Sequence, residues 1–200
     1  MSVKIITDST CDLSEELIEK YHIMILPLHV MLGEAEYEDG RNISPDEIYK
    51  WSDENKETPK TSAPAITDVI ELMRECRKDG SDIICFSVSE QMSTSANVMR
   101  MAAAELKIED HVFVIDSANL STGEGLLVIE AALMAQQDKD AKEIVACVEK
   151  LKPYVRASFV VDTLTYLHRG GRCGGLTALA GSAFKIHPQI VVENGAMKTE

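Results

Sequence analysis

Short apolar runs alternate with helix-patterned segments along most of this 200-residue chain, and that alternation restricts the fold more than any single motif does. Residues 3–7 form a short strand of the buried type that ends in Asp8-Ser9-Thr10, and a helix over about 13–21 follows. Residues 23–32 read as a longer strand region interrupted by Pro27, and 36–40 as a turn or hairpin. Ser44-Pro45-Asp46-Glu47 is a capping box with proline at the first helical position. The helix it opens carries Ile48, Tyr49 and Trp51, and the polar stretch 53–60 reads as a loop. Beyond it the spacing predicts helices over about 66–78, 93–106, 121–137 and 140–152, with strands at 83–88 and 112–115. Ser121 to Glu124 has the pattern of a second capping box. Strands that alternate with helices make a mostly parallel sheet with helices on both faces, so the fold class is α/β and doubly wound.

From Pro153 the texture changes. A strand is expected at 157–161, a helical turn at 162–167, a glycine-rich basic loop at 169–175, a small-residue helix at 176–184 and a strand at 189–192. Asn194-Gly195 then reads as a turn, which calls for a returning strand. The expected organisation is therefore an α/β domain over 1–153 and the start of a second, incomplete α/β domain over 154–200.

Charge excludes some partners. The chain has 33 acidic and 20 basic residues, a net charge of -13. Nucleic-acid binding depends on clustered Lys and Arg, so a nucleic-acid partner is not expected. Broad docking on anionic lipid is disfavoured for the same reason, although a local basic patch is enough for transient membrane contact. Cys11, Cys76, Cys85, Cys147 and Cys173 are odd in number and contain no CxxC pair, which suits reduced thiols in the cytoplasm. The N-terminus lacks a signal-peptide apolar region, and no apolar run approaches transmembrane length.

Two hydroxyl-rich clusters, Thr61-Ser62 and Ser93-Thr94-Ser95, each precede a helical segment. Helix starts leave N–H groups unpaired and carry partial positive charge, so two such ends facing each other suit a small anion. Ligands of doubly wound sheets bind beyond the carboxyl ends of the strands, where Asp8-Ser9-Thr10, residues 87–95 and Asp116-Ser117 fall. Thr61-Ser62 lies on a loop able to fold over the same rim. Ser and Thr are also the commonest helix caps, and most caps bind nothing.

Other motifs are weaker. In the loop from His168 to Gly175 no dinucleotide fingerprint can be drawn. Gly170 and Gly175 have the spacing of a phosphate loop, but Leu176 stands where that motif needs Lys. Arg169 and Arg172 remain candidates for docking a phosphate or an acidic partner surface. Cys11 lacks an adjacent base, the five histidines show no metal-ligand spacing, and no G-x-S-x-G elbow is present. The nine methionines suit core filling or a pliable apolar tunnel. A hydrolase or phosphoryl-transfer enzyme using Asp8, Ser9 or Cys11 on a small anionic substrate is the main alternative, and a regulatory module binding another small acid is a third.

One ordered set of segments resembles the DegV family, the fatty-acid-binding FakB proteins of bacteria. It comprises Val3 to Thr10, Pro27-Leu28, Thr61-Ser62-Ala63-Pro64, Ser93-Thr94-Ser95, Val114-Ile115-Asp116-Ser117, and Phe159-Val160-Val161-Asp162 leading to Gly170-Gly171-Arg172. The resemblance implies a two-domain α/β protein that holds one long-chain fatty acid and needs no cofactor or metal. It assigns the fatty-acid carboxylate to Thr61, Ser62, Ser93 and Ser95; Asp8 and Ser9, at the first strand end, are read as support for that site, and Arg169 and Arg172 as contacts for a partner or for lipid headgroups. It also implies a partner, a fatty acid kinase that makes the bound acyl phosphate for phospholipid synthesis. The chain departs from the family in three places: Thr94-Ser95 stands where Gly-Thr is usual, Ala63 where Gln is common, and His168-Arg169 where Arg or Lys pairs are usual. The family's C-terminal site histidine has no counterpart in these residues.

Overall fold

The computed structural model describes residues 2–172 and 187–199. Its centre is a four-stranded, wholly parallel sheet in the order β2 (Met24–Leu26), β1 (Val3–Asp8), β6 (Asp82–Ser87), β7 (Val112–Asp116). Adjacent apolar residues in these strands point to opposite faces, and both faces are buried. Ile5, Ile84, Phe86 and Ile115 pack on one side with α5 (Ser121–Gln136) and α6 (Ala141–Leu151). Ile6, Ile83, Cys85 and Val112 pack on the other with α3 (Ile66–Arg77) and α4 (Ser95–Leu106). The first helix, α1 (Glu15–Tyr21), is capped by Ser14 and lies on the α5 side.

The expected long strand over 23–32 is instead two strands in two sheets. Pro27 has no N–H for the ladder, and the Leu28 N–H donates to Ser9 Oγ (3.1 Å), outside any strand. The chain then turns into a small antiparallel sheet, β4 (Ala35–Glu38), β3 (His29–Leu32), β5 (Lys60–Ser62). Its own core is Val30, Leu32 and Ile43 with Trp51 and Ile48 of α2 (Pro45–Asn55) against them. The Ser44 capping box forms as expected: the Ser44 N–H donates to Glu47 Oε2, and Ser44 Oγ accepts from the Glu47 N–H. Within the stretch 53–60 expected as loop, α2 runs on to Asn55 and Lys60 opens β5.

A third sheet, in the order β10 (Ala196–Thr199), β9 (Gln189–Glu193), β8 (Ser158–Val160), is antiparallel. Asn194 and Gly195 both have positive φ and join β9 to β10 in a two-residue hairpin. The returning strand called for by that turn is thus present as β10. The helical turn expected at 162–167 falls at Thr165–Arg169 (α7), which places Arg169 on the helix. The expected helix at 176–184, and Cys173 with the rest of the glycine-rich loop, lie outside the described residues. Among the described residues no helix is long and apolar enough to cross a membrane.

Candidate functional site

A cavity of about 940 Å³ opens beyond the carboxyl ends of the parallel strands, between the main sheet, the small sheet and residues 166–172. This is where a doubly wound sheet places its ligand. Thr10 lines it from the end of β1, and Val88 from the end of β6. Val30 lines it from the small sheet, Leu28 from the residues leading into β3, and Ile48, Tyr49 and Ser52 from α2. Leu167, Arg172 and Met197 come from the C-terminal part.

Both hydroxyl clusters reach this cavity. Thr61 and Ser62 line one wall from β5, exposed and in register with Val30 and His29 of β3. Ser93 and Thr94 line another, just ahead of α4. The route differs from the expectation for the first cluster, because Thr61 and Ser62 lie on an edge strand and α3 starts after Ala65, which has no side-chain cap bond. Ser93 does act on a helix start: its Oγ accepts the Ser95 N–H at 3.3 Å. The first N–H groups of the 12-residue α4 therefore stand beside the cavity with their partial positive charge.

Ser95 sits one layer back. It is fully buried, its Oγ is 2.9 Å from Ser93 Oγ, and its hydroxyl meets the Asp8 carboxyl. Asp8 is fully buried too and joins the ends of β1 and β6, accepting from the N–H groups of Thr10 (3.1 Å) and Val88 (3.0 Å). Ser9 Oγ donates to Asp39 Oδ2 (2.7 Å) and accepts from Leu28 N–H, which fixes the crossing into the small sheet. Asp8 and Ser9 thus brace the rim from behind the cavity surface.

Arg172 lines the cavity, with Nη2 donating to the Met92 carbonyl at 2.8 Å and Nε at 3.2 Å. Arg169 Nη1 donates to Thr58 Oγ1 at 2.9 Å. The 166–172 segment is therefore tied to two other parts of the rim, at Thr58 and at Met92. Of the enzyme-type candidates, Cys11 is buried and its thiol is pushed up to about 11, mainly by burial, so it stays protonated and a poor nucleophile.

Glu124 is a rim-supporting residue that its Ser-x-x-Glu pattern conceals. Instead of closing a capping box with Ser121, it is fully buried, and its carboxyl meets the hydroxyls of Thr7 (2.8 Å) and Thr10 (3.2 Å). Leu120 is the N-cap of α5, and Ser121 has a positive φ. Gly123 and Gly125 permit this approach: a Cβ at 125 would lie 2.7 Å from the Cys11 carbonyl oxygen. Two glycines flanking a glutamate inside a helical pattern cost helix propensity without local reason, and that was the signal available.

Fold and rim together define an α/β protein with a strand-end cavity, walled by apolar side chains and edged by hydroxyl groups. The chain belongs to the DegV family, described as uncharacterised proteins, whose model matches residues 2–200. It is similar to a DegV domain-containing protein of Clostridium acetobutylicum, 32% identical over 98% of this chain and 70% of that one. Among solved structures it is similar to a fatty-acid-binding DegV family protein from Thermus thermophilus (TM-score 0.90, 29% identity, 100% of this chain and 71% of that one). A stearic-acid-binding protein from Eubacterium ventriosum is similar as well (TM-score 0.88, 30% identity, 99% and 69%).

Proposed function

We propose that this protein binds one long-chain fatty acid in the strand-end cavity and is a carrier, with no catalytic residue of its own. Residues 1–153 and 154–200 act as two units on either side of the ligand. Thr61, Ser62 and Ser93 hold the carboxylate, Ser95 supports Ser93, and the acyl tail runs along Leu28, Val30, Ile48, Val88, Leu167 and Met197. The observation that carries this reading is that hydroxyls from two elements distant in sequence edge one cavity of about 940 Å³, within the roughly 300–1,000 Å³ of ligand pockets. The fatty acids bound by the Thermus and Eubacterium relatives support the choice of ligand.

Hydroxyl donors are neutral, so they hold a carboxylate without quenching its charge. One oxygen then attacks the terminal phosphorus of ATP on a separate fatty acid kinase, ADP leaves, and a bound acyl phosphate for phospholipid synthesis results. Arg169 and Arg172 are the docking points we assign to that kinase, or to lipid headgroups during transient membrane contact, in the cytoplasm.

Retention of radiolabelled palmitate and oleate by the delipidated protein tests the site. Each hydrogen bond to the carboxylate is worth about 1.5–3 kcal/mol, so Thr61→Val/Ser93→Ala should bind about a hundredfold or more weaker. Equal retention by both proteins sinks the assignment. Trapping of acyl phosphate with hydroxylamine, with and without added kinase and ATP, tests the carrier role; product without the kinase would make the chain an enzyme.

A further inference from the structure

Behind the wall that carries Thr10 and Ser93, two carboxyls lie close together without a cation. Asp8 and Glu124 are both fully buried, and among the described residues no Lys, Arg or His pairs with either. The available donors do not suffice for two negative charges. Asp8 takes two backbone N–H groups, the Thr10 hydroxyl at 2.6 Å and the Ser95 hydroxyl. Glu124 takes the Thr7 hydroxyl at 2.8 Å, and its second oxygen stands 3.2 Å from Thr10 Oγ1. Thr10 has a single hydroxyl proton. Given to Asp8 at the shorter contact, it leaves Glu124 Oε2 facing a lone pair. A proton on Glu124 resolves the conflict: Glu124 donates to Thr10, and Thr10 donates to Asp8.

We infer that Asp8 and Glu124 share one proton through the Thr10 hydroxyl, and that an anion entering the cavity draws a second proton from solvent onto Asp8, so that ligand uptake is coupled to proton uptake. The inference rests on the anionic-ligand reading of the cavity. Its path is continuous: Thr10 lines the cavity and touches both carboxyls, and Ser93 leads through Ser95 to Asp8. With Asp8 ionised, Ser95 donates to Asp8 and Ser93 to Ser95, which turns the Ser93 lone pairs toward the cavity. With Asp8 protonated the chain reverses, and Ser93 donates to the ligand.

Burial pushes Asp8 above the usual carboxylate range, and burial followed by the Asp8 charge pushes Glu124 well above it. Asp12 adds negative potential at Glu124, while the neighbouring Cys11 thiol, at about 11, stays neutral. From α4 the facing group is the Ser95 hydroxyl, and from the end of β6 the Val88 N–H. Asp12, Asp39 and Glu90 also line the cavity, and Arg172 stands in the same lining as a basic group.

The test is calorimetric titration of the full chain with a long-chain alkyl sulfonate, whose charge does not change with pH. It is run in two buffers of different ionisation enthalpy, from mildly acidic to mildly alkaline pH. We expect net proton uptake and a Kd that rises with pH, by up to about tenfold per unit. Asp8→Asn should bind without that pH dependence, and Glu124→Gln should retain it. Sulfonate binding by the wild type with no proton uptake overturns the coupling whatever the variants do. No sulfonate binding at any pH overturns the coupling together with the fatty-acid reading, whereas uptake failure alone leaves that reading intact. The shared proton has a ligand-free readout: a protonated-carboxyl stretch in the infrared spectrum of the wild type, lost in Glu124→Gln. Absence of that band overturns the shared proton.

Discussion

At the scale of single residues, Glu124 shows how burial without a cation makes pH a stability variable. Its neutral form fits the fold, since one proton completes its contacts with Thr10, and burial raises it well above the usual carboxylate range. A carboxyl raised in the folded state contributes its full stability below the ordinary carboxylate pKa and loses it as pH rises through the raised value. Gln keeps both hydrogen bonds without titrating. Urea unfolding from mildly acidic to mildly alkaline pH should therefore show Glu124→Gln losing less stability than the wild type, with a residual decline from Asp8, itself raised by burial. Parallel declines in the two proteins would contradict this. Gly125 makes a steric case on the same turn. Alanine gains up to about 1 kcal/mol of helix propensity, but its Cβ would meet the Cys11 carbonyl oxygen at 2.7 Å and Leu13 at 2.9 Å. A backbone carbonyl cannot swing aside, and overpacking costs about 1–3 kcal/mol, so Gly125→Ala should lower the urea midpoint. An unchanged or raised midpoint would mean that the Cys11 turn yields.

At the scale of elements, the two faces of the main sheet each bury a cluster of twelve residues, while the small sheet with α2 buries three, Val30, Leu32 and Ile43. Opening free energy follows buried apolar contact. Amides of β3 and β5 should exchange with deuterium faster than those of β1 and β6, and Leu32→Ala should accelerate the first pair without changing the second; uniform protection would show one cooperative unit instead. The same contrast explains what was legible in the sequence. Ile5-Ile6 and Ile83-Ile84 sit in local apolar runs whose neighbours face opposite helices, so strand, sheet type and both covering layers follow from pattern alone. Lys60-Thr61-Ser62 is polar and exposed, and its extended form comes from pairing with β3, about thirty residues earlier in the chain. Ser93 was legible as a rim residue because it follows the carboxyl end of β6, whereas Thr61 and Ser62 reach the rim by pairing with β3. Glu124 was not legible, because a Ser-x-x-Glu pattern looks the same whether the carboxylate turns to its own helix start or, as here, to Thr7 and Thr10 across the core.

At the scale of the whole molecule, the cavity exists only where three bodies meet: the ends of β1 and β6, the small sheet with α2, and the 166–172 segment with β10. Among the described residues, four contacts tie the C-terminal body to the other two. Arg172 reaches the Met92 carbonyl, Arg169 reaches Thr58, the Tyr166 and Ser52 hydroxyls stand 3.4 Å apart, and Gly195 of the β9–β10 hairpin packs so closely that a Cβ there would lie 2.5 Å from Ser89 Oγ. Apart from the Gly195 packing, these are hydrogen bonds made mainly by exposed side chains, each worth about 1 kcal/mol. A ligand spanning the cavity adds apolar contact to all three bodies at once and binds the folded state alone. At a hundredfold excess over its Kd it stabilises by about 2.7 kcal/mol, or a rise in Tm of about 5–10 °C for a chain of this size. The gain should be unequal within the chain. Deuterium exchange of the delipidated protein with and without palmitate should slow most in β5, in residues 89–94 and in 165–172. It should change little in α6, which packs on the far face of the main sheet and takes no part in the cavity. A rise in Tm with protection confined to one body would place the ligand elsewhere, since a fatty acid in this cavity touches all three.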